Sequence, residues 1–157
     1  GRIVRVQEMG IRSTIVTSRD GDELIVPNSQ IVQGTVVNYT LRDSSFRIRA
    51  RVGVSYGSDM KRVRTTLEAA ANEVAQRWGV EERESQVLLA QFGDGSVVWE
   101  LAVWMNDPWL ERPALSELHE AIWWALKEDD IVIAFPQLDV HFDGPIDAAL
   151  GKLAAAS

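Results

Sequence analysis

The residues of this chain best suited to metal binding or proton transfer are its two histidines, His119 and His141. His119 stands between Glu117 and Glu120 on a stretch of helical period, where a His and a carboxylate can begin a metal site. Glu120 is its immediate neighbour and points elsewhere, and no second His or Cys lies at ligand spacing. A metal needs three or four convergent ligands, so a solvated helix histidine is the expectation. His141 shares one face of an extended run with Asp139 and Asp143. That trio can coordinate a hard or borderline cation, but it also reads as the polar face of a half-exposed strand, which we favour.

The other chemistries fail on spacing. Gly93-Asp94-Gly95 does not open a helix, and Gly53 and Gly57 lack a following Gly-Lys-Ser/Thr, so no phosphate cradle is expected. No Gly-x-Ser-x-Gly elbow presents a nucleophile. Among the six tryptophans, Trp99 and Trp104 are five apart and fall on opposite faces of a strand, so they make no base-stacking platform. Trp123 and Trp124 are adjacent on a helix, so one can lie toward the core with the other outward at a protein contact, or both can be large residues at a core edge. No catalytic residue, cofactor site or metal site is assigned.

One stretch remains, Pro27-Asn28-Ser29, between two runs of β-forming residues. Pro27 has no N–H and ends a hydrogen-bonded ladder. Asn28 and Ser29 can satisfy backbone N–H groups at a turn, or cap a one-turn helix across Ser29–Val32. On local grounds the stretch is a corner between strands.

The elements around these residues follow from composition and period. A chain of 157 residues, 46% hydrophobic, makes one typical domain or two small ones. The formal charge of −7 disfavours general binding to nucleic acid or anionic lipid. Cysteine is absent, which excludes disulfides and thiolate chemistry. No apolar run approaches the roughly 20 residues of a membrane-spanning helix, and the piece reads as soluble. Charge is uneven: residues 1–50 hold seven Arg against five acids, and residues 51–157 hold nine basic residues against eighteen acids. That shift, near residue 45, divides the chain into a small β module at 1–45, an α/β module at 46–143 and a tail at 144–157.

In the first module Ile3–Val6, Ile11–Thr17, Leu24–Val26 and Gly34–Tyr39 read as short strands, with Asp20-Gly21 as a hairpin turn. In the second, Phe46 to Tyr56 alternates apolar residues with Arg47, Arg49 and Arg51. Ser58 or Asp59 can cap a helix whose stripe runs from Met60 through Val63, Leu67, Ala71 and Val74 to Trp78, with Gly79 as its stop. A hairpin follows, Gln86–Phe92 and Ser96–Met105, then a helix with Leu115, Leu118, Ile122 and Leu126, then a strand from Ile131 interrupted at Pro136. Strand–helix–strand–strand–helix–strand is the split-βαβ, ferredoxin-like plan.

Read together, several strings resemble one family. They are Gly10–Thr14, Ile25–Ser29, Val37–Thr40, Val52–Asp59, Phe92–Ser96 and Phe135–His141, in this order. The set is similar to the region that follows the pore helix in the small-conductance mechanosensitive (MscS-like) channels, and it covers about residues 1–143. The resemblance implies an α+β fold, a Sm-like β domain followed by a ferredoxin-like domain. It implies a cytoplasmic vestibule under an inner-membrane pore, with the transmembrane helices preceding this piece and absent from it. It further implies a homoheptamer with side portals that passes ions and small osmolytes on hypo-osmotic shock, with no cofactor. Arg12, Pro27, Asn28, Ser29, Asn38, Gly57, Asp59 and Pro136 are the motif positions carried over to assembly. Gly144–Ser157 is poor in β-branched residues, so no C-terminal strand barrel is expected. A heptamer would carry 7 × −7 = −49 formal charges, which predicts a mild cation bias. Two other readings stay open: a ligand-binding regulatory module of ferredoxin-like fold, and, less favoured by charge, an RNA-binding protein.

Overall fold

Residues 2–40 and 43–135 are described by a computed structural model. Pro136 lies outside the described residues, as do the continuation of the last strand, the Asp139, His141, Asp143 trio and the tail.

The first sheet is antiparallel, in the order β1 (Val4–Met9), β2 (Ser13–Ser18), β3 (Glu23–Pro27). β1 pairs Val4 with Ser18 and Met9 with Thr14, slipping by one residue between Val6 and Glu8. The Asp20-Gly21 hairpin forms as the turn chemistry requires. Gly21 sits at φ 88°, in the left-handed region that a side chain would strain. The Ser18 hydroxyl accepts from the N–H groups of Asp20 and Asp22, which fixes the turn.

At Pro27 the ladder ends and a short helix, α1 (Asn28–Gln33), begins. The strand expected over Gly34–Tyr39 does not form. Residues 34–39 are neither helix nor strand, and Val36 and Val37 stay exposed. A β-branched run becomes a strand only where a neighbouring edge is available, and no edge among the described residues meets it.

The second sheet holds β4 (Phe46–Val54), β5 (Gln86–Phe92) and β6 (Val97–Met105) in the order β4–β6–β5, all antiparallel. A bridge between Val54 and Ile133 brings the segment after the last helix beside β4. The resulting order, last segment, β4, β6, β5, is that of the split-βαβ plan. The helices α2 (Met60–Trp78) and α3 (Glu111–Glu128) cover one face, and a 3₁₀ turn, Pro108–Leu110, leads into α3.

The core lies between these helices and the sheet. Val63, Leu67, Ala71 and Val74 from α2 and Ala114, Leu118, Ile122 and Leu126 from α3 close over Ile48, Ala50, Val54, Trp99, Leu101 and Val103. Fully burying each Leu or Ile contributes about 1.5–3 kcal/mol. The stripe places Trp123 and Trp124 one and two steps past Ile122, which turns both away from the core. They are 51% and 56% exposed, so the arrangement with one inward and one outward does not hold. Among the described residues, no helix is long and apolar enough to cross a membrane.

Candidate functional site: a polar corner and a sheet-end cluster

The Pro27-Asn28-Ser29 corner is held by one side chain, and not in the way local capping predicts. Asn28 does not cap α1, whose N-cap position is Pro27 and has no side-chain hydrogen bond. Its side chain turns back instead to the loop before β2. Oδ1 accepts from the Thr14 hydroxyl at 2.8 Å, and Nδ2 donates to the carbonyls of Gly10 at 3.0 Å and Ile11 at 3.2 Å. The Asn28 backbone N–H donates to the Arg12 carbonyl at 2.9 Å. Four hydrogen bonds from one residue therefore join two sequence strings that lie 18 positions apart.

Asn is suited to this position because it offers an acceptor and two donors on a short arm. Asp would lose the donors, and Ser could not span the gap. Thr14 is buried at 1% exposure, so its hydroxyl depends on Asn28 for a partner. The contact with Arg12 uses its backbone carbonyl, and its side chain is exposed. Ser29 is exposed as well. Asn38 makes a local turn of its own, accepting at Oδ1 from the Thr40 N–H at 2.9 Å and the Thr40 hydroxyl at 3.2 Å.

A second meeting of strings occurs at one end of the β4–β6–β5 sheet. The Tyr56 hydroxyl donates to the Gly93 carbonyl at 2.6 Å, tying the turn before α2 to the β5–β6 hairpin. A Cβ on Gly53 would lie 2.9 Å from the Ser96 hydroxyl, so that pair needs glycine for close approach. Ser55 N–H donates to the Val132 carbonyl and Ala134 N–H to the Gly53 carbonyl, which brings the segment after α3 to the same end. Gly57 is exposed in the turn, and Asp59 caps α2 by accepting from Lys61 and Arg62 N–H groups. Tyr56, Phe92, Val132 and Phe135 stay exposed around this end.

The candidates for chemistry stay apart. His119 is exposed on α3, and the described residues contain no group of three or more His, Cys, Asp or Glu arranged to hold a metal. Trp99 is buried and Trp104 lies on the opposite, open face, as the spacing predicts. The Trp104 ring is covered by the guanidiniums of Arg47 at 4.9 Å and Arg83 at 4.3 Å. Glu100 engages Arg51 at 2.7 Å and Arg49 at 3.8 Å. The arginine row on β4 thus comes with a carboxylate between its members and a tryptophan already stacked.

Asp129, at the C-terminal end of α3, accepts from the Thr66 hydroxyl and from Arg62 at 2.9 Å. The Thr66 hydrogen bond, then the Arg62 one, hold its carboxyl below the ordinary carboxylate value. Its neighbours make it a helix–helix tie, not a general acid.

The whole arrangement is one of hydrogen-bonded corners and exposed apolar side chains around two small sheets, with no convergent reactive groups among the described residues. Residues 3–41 match the family described as "Mechanosensitive ion channel, beta-domain", and residues 33–133 match "Mechanosensitive ion channel MscS, C-terminal". The chain belongs to the MscS family of mechanosensitive ion channels. It is 35% identical over 136 residues to the mechanosensitive channel MscK of Escherichia coli (strain K12), covering 87% of this chain and 12% of that protein. It is 33% identical to the small-conductance mechanosensitive channel of Edwardsiella ictaluri, covering 87% of this chain and 46% of that one. The crystal structure of Helicobacter pylori MscS in its closed state superposes with a TM-score of 0.76 at 25% identity, over 92% of this chain and 56% of that chain. The chain thus spans less than half the length of these curated relatives. Its MscS-family fold is a β domain followed by an α/β domain.

Sequence reasoning named Asn28 without its partners. Thr14, Gly10, Tyr56 and Gly93 lie inside the quoted strings, and pairing the strings with one another was the signal that would have found them. Arg19 and Glu111, hydrogen-bonded across 92 positions, carry no such signal.

Proposed function

We propose that this chain is the cytoplasmic vestibule region of a mechanosensitive channel that releases ions and small osmolytes on hypo-osmotic shock, and that it has no enzymatic activity. The observation that carries this reading is the ordered match of both MscS-family modules over residues 3–133. The membrane-spanning part belongs to the stretch of the relatives that the chain does not cover. The partner is a further copy of the chain, in a homoheptamer, at the inner membrane on its cytoplasmic side. The proposed division is a β module at 1–45, an α/β module at 46–143 and a tail at 144–157.

The exposure of the first module supports self-assembly. Ile11 is 98% exposed, Ile25 72% and Val32 83%, more apolar surface than so small a sheet leaves open when it works alone. Ring formation would give the outer edges of β1 and β3 partners. Arg12, Pro27, Asn28, Ser29 and Asn38 then act by shaping the corner that meets the neighbour, and Gly57 and Asp59 by shaping the end of the second sheet, with Pro136, outside the described residues, proposed as a further assembly position.

Charge on the second module is mixed on both faces. Glu68, Glu73, Glu120 and Glu128 are exposed on the helices beside Lys61, Arg62, Arg64, Arg77, Arg112 and Lys127, and Arg47, Arg49 and Arg51 are exposed on the open sheet face. The net charge of −7 per chain would enrich cations within a Debye length of about 8 Å of a lumen wall and give a mild cation bias. Reversal potentials before and after neutralising wall-facing acids test this, and an unchanged selectivity would defeat it.

The functional test replaces the corresponding region of an MscS-family channel with this chain and measures survival after osmotic downshift together with tension-activated current. Both are expected to be retained. A chimera that reaches the membrane as an oligomer yet never opens under tension would overturn the proposal.

A further inference from the structure

Arg19 sits at the β2–β3 turn, far in sequence from anything it touches. Its guanidinium donates to the Pro108 carbonyl and to Glu111 Oε2, the latter at 2.7 Å. Its side chain is only 18% exposed and that of Glu111 35%. From β1, Arg5 places its guanidinium 4.9 Å over the Trp109 ring. Two arginines of the first sheet thus grip the 3₁₀ turn Pro108–Leu110 at the start of α3. Among the described residues, these are the side-chain hydrogen bonds, ion pair and ring contact that cross from residues 2–33 to residues 46–135.

The receiving side is rigid. Asp107 Oδ1 accepts from the Trp109 N–H at 2.9 Å, fixing the turn, and Glu111 lies in the first turn of α3, where the helix dipole favours a carboxylate. The arginine side is less complete, since Arg19 Nε is buried with no partner. A guanidinium buried with an orphan N–H loses part of what its ion pair gains, so such a contact is closed but lightly held.

We propose that Arg19 and Glu111 form a releasable latch between the two modules, closed in this structure, whose opening lets the β sheet turn relative to the α/β layer. The proposal concerns the mechanics of this chain and does not rest on its channel activity.

The test is a distance between the modules. The chain has no cysteine, so cysteines introduced at Glu23 on β3 and Glu120 on α3, both exposed, carry spin labels without background. Labelled chain is diluted into unlabelled chain so that only distances within one copy are read. The expected result is one narrow distance in the parent protein. Glu111→Arg sets like charges face to face and should replace it with a broad distribution, and adding Arg19→Glu should restore the narrow one. Arg19→Gln, a milder change, should broaden the distribution with the far-UV spectrum unchanged. A distance unmoved by Glu111→Arg and Arg19→Gln, or a double variant as broad as Glu111→Arg alone, would overturn the latch.

Discussion

The two sheets of this chain face the same problem, how to cover an apolar surface, and solve it differently. The α/β module covers one face of its sheet with its own helices, and Leu67, Trp99, Leu101, Leu118 and Leu126 are fully buried. Among the described residues no helix covers the β module, and α1 has no buried residue. All six residues of β1 are exposed. What holds the β module in shape is polar: the Ser18 turn, the β ladders and the four hydrogen bonds of Asn28. One region is stabilised by its own core and the other by corners, and the second is the one with surface left for a neighbour.

The contrast is open to attack by substitution. The largest effect is expected from emptying the core of the self-sufficient module. Leu67→Ala or Leu118→Ala should cost about 2–5 kcal/mol by loss of burial and creation of a cavity, whether or not the chain assembles. Thermal or denaturant unfolding measures this, and a loss below about 1 kcal/mol would show that the α/β core is not the main support. Next comes the corner. Asn28→Ala leaves the buried Thr14 hydroxyl and two loop carbonyls without partners and should cost about 1–3 kcal/mol. Its mark is selectivity: assembly should weaken while exchange protection of α2 and α3 amides stays as in the parent chain. Equal loss of protection in both modules would break the comparison.

A smaller effect is expected at the start of α2. Asp59→Ala removes the acceptor for two N–H groups and should cost about 1 kcal/mol, with the loss of exchange protection confined to the α/β module. Smallest is Asp129. Its carboxyl titrates below the ordinary value of 3.8 in the folded chain, so ionised Asp129 stabilises the fold above that value, and the contribution fades as pH falls through the lower folded pKa. Asp129→Asn should therefore lower the melting temperature at neutral pH and flatten its decline at acid pH. A variant that loses stability equally from pH 7 to below the folded pKa would assign the effect to packing instead.

The α/β module was the more legible of the two in the sequence, for a physical reason. Its periods of 3.6 and 2 are written by burial within one chain, so Val63–Val74 and Ile48–Val54 name their own faces. Where burial is incomplete inside the chain, period misleads. Val36 and Val37 read as a strand and are not one here, because no edge among the described residues receives them. Adjacency left open whether Trp123 and Trp124 divide between core and surface, and the stripe through Leu118 and Ile122 leaves both outside. The corner shows the other limit. Asn28 was picked out by type, but its bonds to Gly10, Ile11 and Thr14 depend on how β2 and β3 pair, which local capping rules do not contain. Pro136 and the Asp139–Asp143 run lie outside the described residues.

The central claim, that the exposed apolar surface of the β module is a self-assembly surface, meets its most direct test in the absolute mass of this chain in solution, measured by light scattering across a dilution series. A chain of 17.5 kDa should give seven times that mass, 122.5 kDa, and Asn28→Ala should shift the species toward the monomer at the same concentration. A mass of 17.5 kDa at every concentration would contradict the account, and would move the work of assembly away from Ile11, Ile25 and Val32.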